Sequence, residues 1–135
     1  MENILGKWKL EENINFGDFL IFTQTAWYQR QIAEHSNIDI TLTKLDENKY
    51  NKTVDALFFT QNEDIILDGK EREYEGNIKK SYLLSDNAID VSITGSIVNW
   101  KERIKFKEPY LYVEYSWITY GEVCSASQKF IRTCL

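Results

Sequence analysis

At 135 residues the chain is long enough to bury one core and too short for two, so residues 1–135 are read as a single domain. Hydrophobic residues at 43% and charged residues at 27% describe an ordinary globular protein and exclude a disordered one. A net charge of −5 and a pI near 4.9 exclude the basic surface that nucleic-acid binding needs, and argue against a polybasic membrane anchor.

Leu5 to Ile14 opens as a strand, with Gly6, Trp8 and Leu10 on one face and Lys7 and Lys9 on the other. From Phe16 the period changes. Phe16, Phe19, Leu20 and Thr23, then Trp27 and Ile32, recur at helical spacing, with Asn13 or Asn15 as the cap and Asp18 in the first turn. Two short helices broken near Gln24-Thr25 are predicted, closing at Ser36-Asn37.

After that, strand follows strand. Ile38, Ile40 and Leu42 alternate with Asp39, Thr41 and Thr43, and Asp46-Glu47-Asn48 turns into Lys49–Thr60. Gln61-Asn62-Glu63 reads as a second turn, and Asp68-Gly69 as a hairpin pair between Asp64–Leu67 and Lys70–Glu75. Gly76-Asn77, Asp86-Asn87, Gly95-Ser96 and Glu108-Pro109 separate four further strands. One of these carries Val98, Trp100, Ile104 and Phe106, interrupted in phase by Glu102. Leu111, Val113, Tyr115 and Trp117 share one face, and Gly121-Glu122 leads into the last strand. About ten short strands joined by hairpins, with one helical pair, predict an all-β, ten-stranded antiparallel up-and-down β-barrel, capped by a helix-turn-helix lid and closed so that no sheet edge remains.

The N-terminus has no basic region followed by an apolar run, and no stretch approaches 18 apolar residues, so a cytoplasmic protein is expected. Cys124 and Cys134 are then expected as free thiols. His35 has no catalytic or metal-binding pattern around it and reads as solvated. The chain carries no nucleophile elbow, no metal-ligand spacing and no phosphate-cradling loop. No catalysis, cofactor or metal is expected.

Several segments, taken in order, resemble the intracellular lipid-binding proteins, the fatty-acid- and retinoid-binding family of the calycin superfamily. Gly6-Lys7-Trp8-Lys9-Leu10 is similar to the family's opening Gly-x-Trp-x-Leu, and Asn15-Phe16-Gly17-Asp18-Phe19-Leu20 to its Asn-Phe-Asp-Asp-Tyr-Met helix start. Arg30-Gln31-Ile32 resembles Arg-Gln-Val in its second helix. Phe59 stands ten residues before Gly69, the family's spacing from portal phenylalanine to glycine. Lys80-Ser81 resembles the Lys-Ser of the sixth strand, and Gly121-Glu122-Val123-Cys124 resembles Gly-Asp-Val-Val-Cys, one residue short. The resemblance implies a β-clam around an internal cavity, with reversible binding of a small hydrophobic ligand, a fatty acid or other lipid-like molecule, that enters through the helical portal.

The departures define the candidate site. Fatty-acid binders of this family hold the ligand carboxylate with an Arg-x-Tyr pair on the last strand and an arginine on the eighth. Here Ala126 and Gln128 fall at the first pair, and Ile104 at the second arginine. Arg103, one residue off, would serve only if a bulge turned it inward. On the resemblance, Phe16 and Leu20 face Phe59 across the portal, with Trp27 and Arg30 on the second helix. Tyr74 either narrows the cavity or lies outside. Val113, Tyr115 and Trp117 either line the cavity or pack its floor. Tyr115 and Gln128 either hold a ligand head group or satisfy one another. Ile21, Phe22 and Trp27 either touch membrane transiently during ligand transfer or pack on the rim. A monomeric carrier is the first reading. A barrel that lacks the clamp and binds a neutral ligand, or serves as a protein-interaction module, is the second.

Overall fold

Ten strands and one helix account for the chain over the residues that the computed structural model describes: 2–25, 37–56, 59–74 and 77–134, the side chains of Phe59 and Cys134 excepted. The second predicted helix, with Trp27, Arg30, Ile32 and His35, lies outside those residues. After a 3-10 turn at Glu2–Ile4 the elements are β1 (Gly6–Ile14), α1 (Phe16–Phe22), β2 (Asp39–Asp46), β3 (Lys49–Ala56), β4 (Phe59–Ile66), β5 (Arg72–Tyr74), β6 (Ile78–Ser85), β7 (Ala88–Thr94), β8 (Asn99–Lys107), β9 (Tyr110–Thr119) and β10 (Glu122–Cys134). They form one antiparallel sheet in the order β4-β3-β2-β1-β10-β9-β8-β7-β6-β5. This is the predicted ten-stranded meander, curled as a β-clam.

Helix α1 starts where the apolar period changes. Asn15 occupies the N-cap position with φ 55, and its carbonyl accepts from the Asp18 and Phe19 amides. The helix stops before Gln24, whose φ of 62 supplies the break. The hairpins at Asp86-Asn87 (φ 51 and 60) and Tyr120-Gly121 (φ 51 and 78) carry two left-handed residues each, the two-residue turn that matches strand twist.

Two sequence expectations are overturned between β3 and β6. Gln61-Asn62-Glu63 is mid-strand, paired with Val54, Thr53 and Lys52. Its turn-like composition is overridden by packing: Asn62 hydrogen-bonds Asn51 and Thr53 on the outer face, and Glu63 is buried on the inner one. Asp68-Gly69 is likewise no hairpin. The Asp68 carboxylate accepts from Arg72 and from the Lys70 amide, which hold it well below the usual carboxylate range, and the Gly69 amide donates to the Tyr82 backbone carbonyl on β6. The expected closure without a sheet edge is not met either: among the described residues no ladder joins β4 to β5, so the sheet ends there, and side chains span the gap. Tyr74 donates to the Asp64 carbonyl at 3.0 Å, and Lys80 and Tyr82 reach Glu63.

The inner face carries the core. Trp8, Leu42, Tyr50, Ile65, Tyr82, Ile89, Ile93, Leu111 and Phe130 are all at most 2% exposed. Trp8 donates its indole N–H to the Ile4 carbonyl at 2.9 Å, and the Arg132 guanidinium lies over its ring.

Candidate functional site: the inner face of the clam

Helix α1 lies across the inner ends of β8, β9 and β10 because its apolar side matches theirs. Phe16, Phe19 and Leu20 are buried against Trp117 and Ala126. Phe19 sits at the centre, 4.5 Å from the Tyr115 ring, 5.5 Å from Trp100 and 5.6 Å from Trp117, while Phe22 stacks on Trp117 at 5.5 Å. Phe22 thus packs on the rim, and Ile21 points outward, 57% exposed. Phe16 and Leu20 do face inward. The Phe59 backbone stands at the start of β4, its side chain outside the description.

Three groups of polar side chains share this face. In the first, Tyr115 donates to Gln128 Oε1 at 2.6 Å, and Gln128 Nε2 donates to Asn13 at 3.1 Å. Burial, and then the Glu102 carboxylate, push the Tyr115 hydroxyl well above its usual range, so it remains a neutral donor. The two handles therefore satisfy one another, and Val113 beside them is 5% exposed. Asn13 reaches Gln128 because the β1–β10 register shifts between Leu10 and Glu12, a bulge that puts Asn13 in phase with the interior. In the second group, Trp100 donates its indole N–H to Glu102 at 2.9 Å, so Glu102 belongs to the inward set of β8 instead of interrupting it.

The third group was missed in the sequence. Lys52, Glu63, Lys80 and Tyr82 converge from β3, β4 and β6. Lys80 donates to both Glu63 oxygens at 3.0 and 3.2 Å, Lys52 lies 3.4 Å from Oε1, and Tyr82 donates to Oε1. Burial alone would raise the Glu63 carboxyl, but Lys52, Lys80 and the Tyr82 hydroxyl outweigh it and hold the group below its ordinary value. Burial, and then Glu63, push Tyr82 far up. A signal was present: Tyr50, Lys52 and Val54 alternate with Asn51, Thr53 and Asp55, which places Lys52 on the apolar face. The turn assignment at Gln61-Asn62-Glu63 hid its partner. Tyr74 packs beside this group, its ring 6.3 Å from Tyr82 and 5.3 Å from the Lys80 ammonium.

Arg103 is placed on the opposite face. The β7–β8 and β8–β9 registers run through it without a shift, so Ile104 points inward, 3% exposed, and Arg103 outward. There it pairs with Asp90 at 2.7 Å and donates to the Ser85 carbonyl. Arg103 is therefore no ligand anchor, because nothing in the ladder supplies the bulge that would turn it. Arg103→Ala is expected to leave ligand affinity unchanged and to cost less than about 1 kcal/mol in urea denaturation, the range of half-exposed ion pairs.

Two adjoining clefts of about 660 and 700 Å³ are lined from both faces of these strands, the first by Arg103 and Glu114 with Tyr115 and Ala126, the second by Ile118 with Trp100 and Trp117. Both include Ser92, Lys101 and Ser116, whose strand neighbours Val91, Trp100 and Trp117 point inward. Among the described residues no helix is long and apolar enough to cross a membrane, and no three acidic, histidine or cysteine side chains gather as metal ligands.

No protein-family model matches the sequence, and a search of curated proteins finds no relative. The structure, however, is similar over its whole length to solved β-clams. The REP1-NXSQ fatty acid transporter is 18% identical, with a TM-score of 0.88, covering 100% of this chain and 99% of that one. A Schistosoma mansoni fatty acid binding protein solved in complex with arachidonic acid is 19% identical, with a TM-score of 0.85, covering 98% and 97%. The Echinococcus granulosus fatty-acid-binding protein 1 is 14% identical, with a TM-score of 0.86, covering 98% and 99%. The fold is thus the β-clam of fatty-acid-binding proteins. These three neighbours are named as a fatty acid transporter and fatty-acid-binding proteins.

Proposed function

We propose that this chain acts as a single-domain, monomeric carrier in the cytoplasm, binding one small hydrophobic ligand reversibly inside the clam without chemistry. The observation that carries the reading is the seating of α1 across an inward, aromatic-rich face, in a fold whose solved neighbours include a complex with arachidonic acid. Apolar surface of this kind stabilises a hydrocarbon ligand by about 25 cal/mol per Å² removed from water. Phe16, Leu20 and Phe59 border the entrance, with Trp27 and Arg30 on the segment that follows α1. Val113 and Trp117 line the wall, and Tyr74 narrows it. The exposed Ile21 offers the helix a transient hold on a membrane during transfer.

A fluorescent fatty acid is expected to bind saturably with one site, and mass spectrometry of gently purified protein is expected to find a co-purified lipid. Absence of saturable binding to both the fatty acid and retinol overturns the fatty-acid and retinoid versions. A second reading, an interaction module without ligand, is favoured by the mutual satisfaction of Tyr115 and Gln128. Solvent extracts of the purified protein that carry no lipid at all would support it.

A further inference from the structure

We propose that the ligand carries a single carboxylate, and that its anchor is the Lys52–Glu63–Lys80 cluster at the β4–β6 gap rather than the far wall on β8 and β10. The inference rests on the carrier reading above. It starts from a charge count on one set of residues. Two ammonium groups face one carboxylate, so the cluster holds 2 − 1 = +1.

These are not surface charges. The Lys52 and Lys80 side chains are 15% and 14% exposed and that of Glu63 6%, and the neighbouring inward residues Leu42, Tyr50, Ile65 and Ile93 are all at most 2% exposed. A surplus charge in such surroundings is unfavourable until an opposite charge joins it.

The hydrogen-bond count points the same way. Glu63 already accepts from Tyr82 and twice from Lys80. Lys52 has three N–H donors and no hydrogen bond to any described residue, since its 3.4 Å approach to Glu63 is an ion-pair contact only. Among the described residues, donors and positive charge are both in surplus at one place. A carboxylate on Lys52 would complete an alternating quartet of two ammoniums and two carboxylates, with charge-assisted bonds of the stronger kind.

The far wall offers fewer donors. Ala126 and Ile104 have none there, and Tyr115 is committed to Gln128, while the Glu102 carboxylate acts on both Tyr115 and Tyr82 and so favours neither place. An acid entering this clam is therefore directed sideways, toward the seam where β4 and β6 meet through side chains.

The test is displacement of a fluorescent fatty acid by hexadecanoic acid and by hexadecan-1-ol, which share a chain and differ in the head group. Wild type is expected to release the probe to the acid at a concentration about tenfold lower than to the alcohol, the scale of one charge-assisted hydrogen bond. In Lys52→Met and Lys80→Met the displacing concentrations of acid and alcohol, compared within each variant, should converge to within about threefold. Lys52→Met is the milder replacement, because no hydrogen bond to a described residue is lost, and it decides the matter should Lys80→Met not fold. Equal displacement in wild type, or acid preference retained in folded Lys52→Met, overturns the anchor while leaving the carrier reading intact. Failure of the probe to bind wild type at all overturns the anchor, and the carrier reading falls with it only where retinol also fails to bind and no lipid co-purifies.

Discussion

Phe19→Ala is expected to lower the free energy of unfolding by about 3–5 kcal/mol, the range for removing a buried aromatic ring from a core. The ring is 6% exposed and touches Phe16, Trp100, Tyr115 and Trp117. Its loss leaves a void under a helix of seven residues, and so short a helix has little stability of its own in water. Phe16 and Leu20 would lose their seating along with it. The chain should therefore show an earlier urea midpoint and a faster release of bound fluorescent fatty acid. Ile21→Ala, on the same helix but 57% exposed, is the control, expected to shift stability by less than about 0.5 kcal/mol. Equal costs for the two variants would refute the placement of α1.

Glu63→Gln is expected to cost about 3 kcal/mol at neutral pH. Removing one partner of a buried ionic group leaves the other charge uncompensated, and here two ammoniums would be left facing each other. The lower end of the usual range applies because both lysines keep some exposure. The difference should also depend on pH with a definite sign. The folded-state carboxyl titrates below its ordinary value of 4.5, so its contribution is fully present above that pH and is lost as pH falls through the lower folded value. Wild type and Glu63→Gln should differ most in urea midpoint near pH 7 and converge in the acid range below about pH 4.5. A difference that grows on acidification would contradict the cluster as described.

Much of the architecture was legible in local pattern. Leu111, Val113, Tyr115 and Trp117 lie inward as their alternation requires, and the same period turns Arg103 away from Ile104. The helical spacing at Phe16, Phe19 and Leu20 gave the buried side of α1, and the turn signals at Asp86-Asn87, Gly95-Ser96 and Glu108-Pro109 stand where composition placed them. The errors share a cause. Gln61-Asn62-Glu63 and Asp68-Gly69 have turn composition, yet their conformations answer to partners outside their own segment: Asn51 and Lys52 across the β3 ladder, Lys80 and Tyr82 across the gap. Asn13 was equally opaque, because a bulge in β1 changes its face without altering the residue pattern.

The sequence by itself determined the ten-strand meander, the apolar side of the first helix and the absence of an Arg-x-Tyr pair on the last strand, because each depends on residue type and on spacings of two to four. Only the tertiary structure decided that the sheet ends at β4 and β5, and that Lys52, Glu63 and Lys80 meet there from β3, β4 and β6. Glu63 and Lys80 are 17 positions apart on strands that share no ladder. They meet because the twist and curl of the whole sheet bring its two ends together, and no local periodicity encodes that approach.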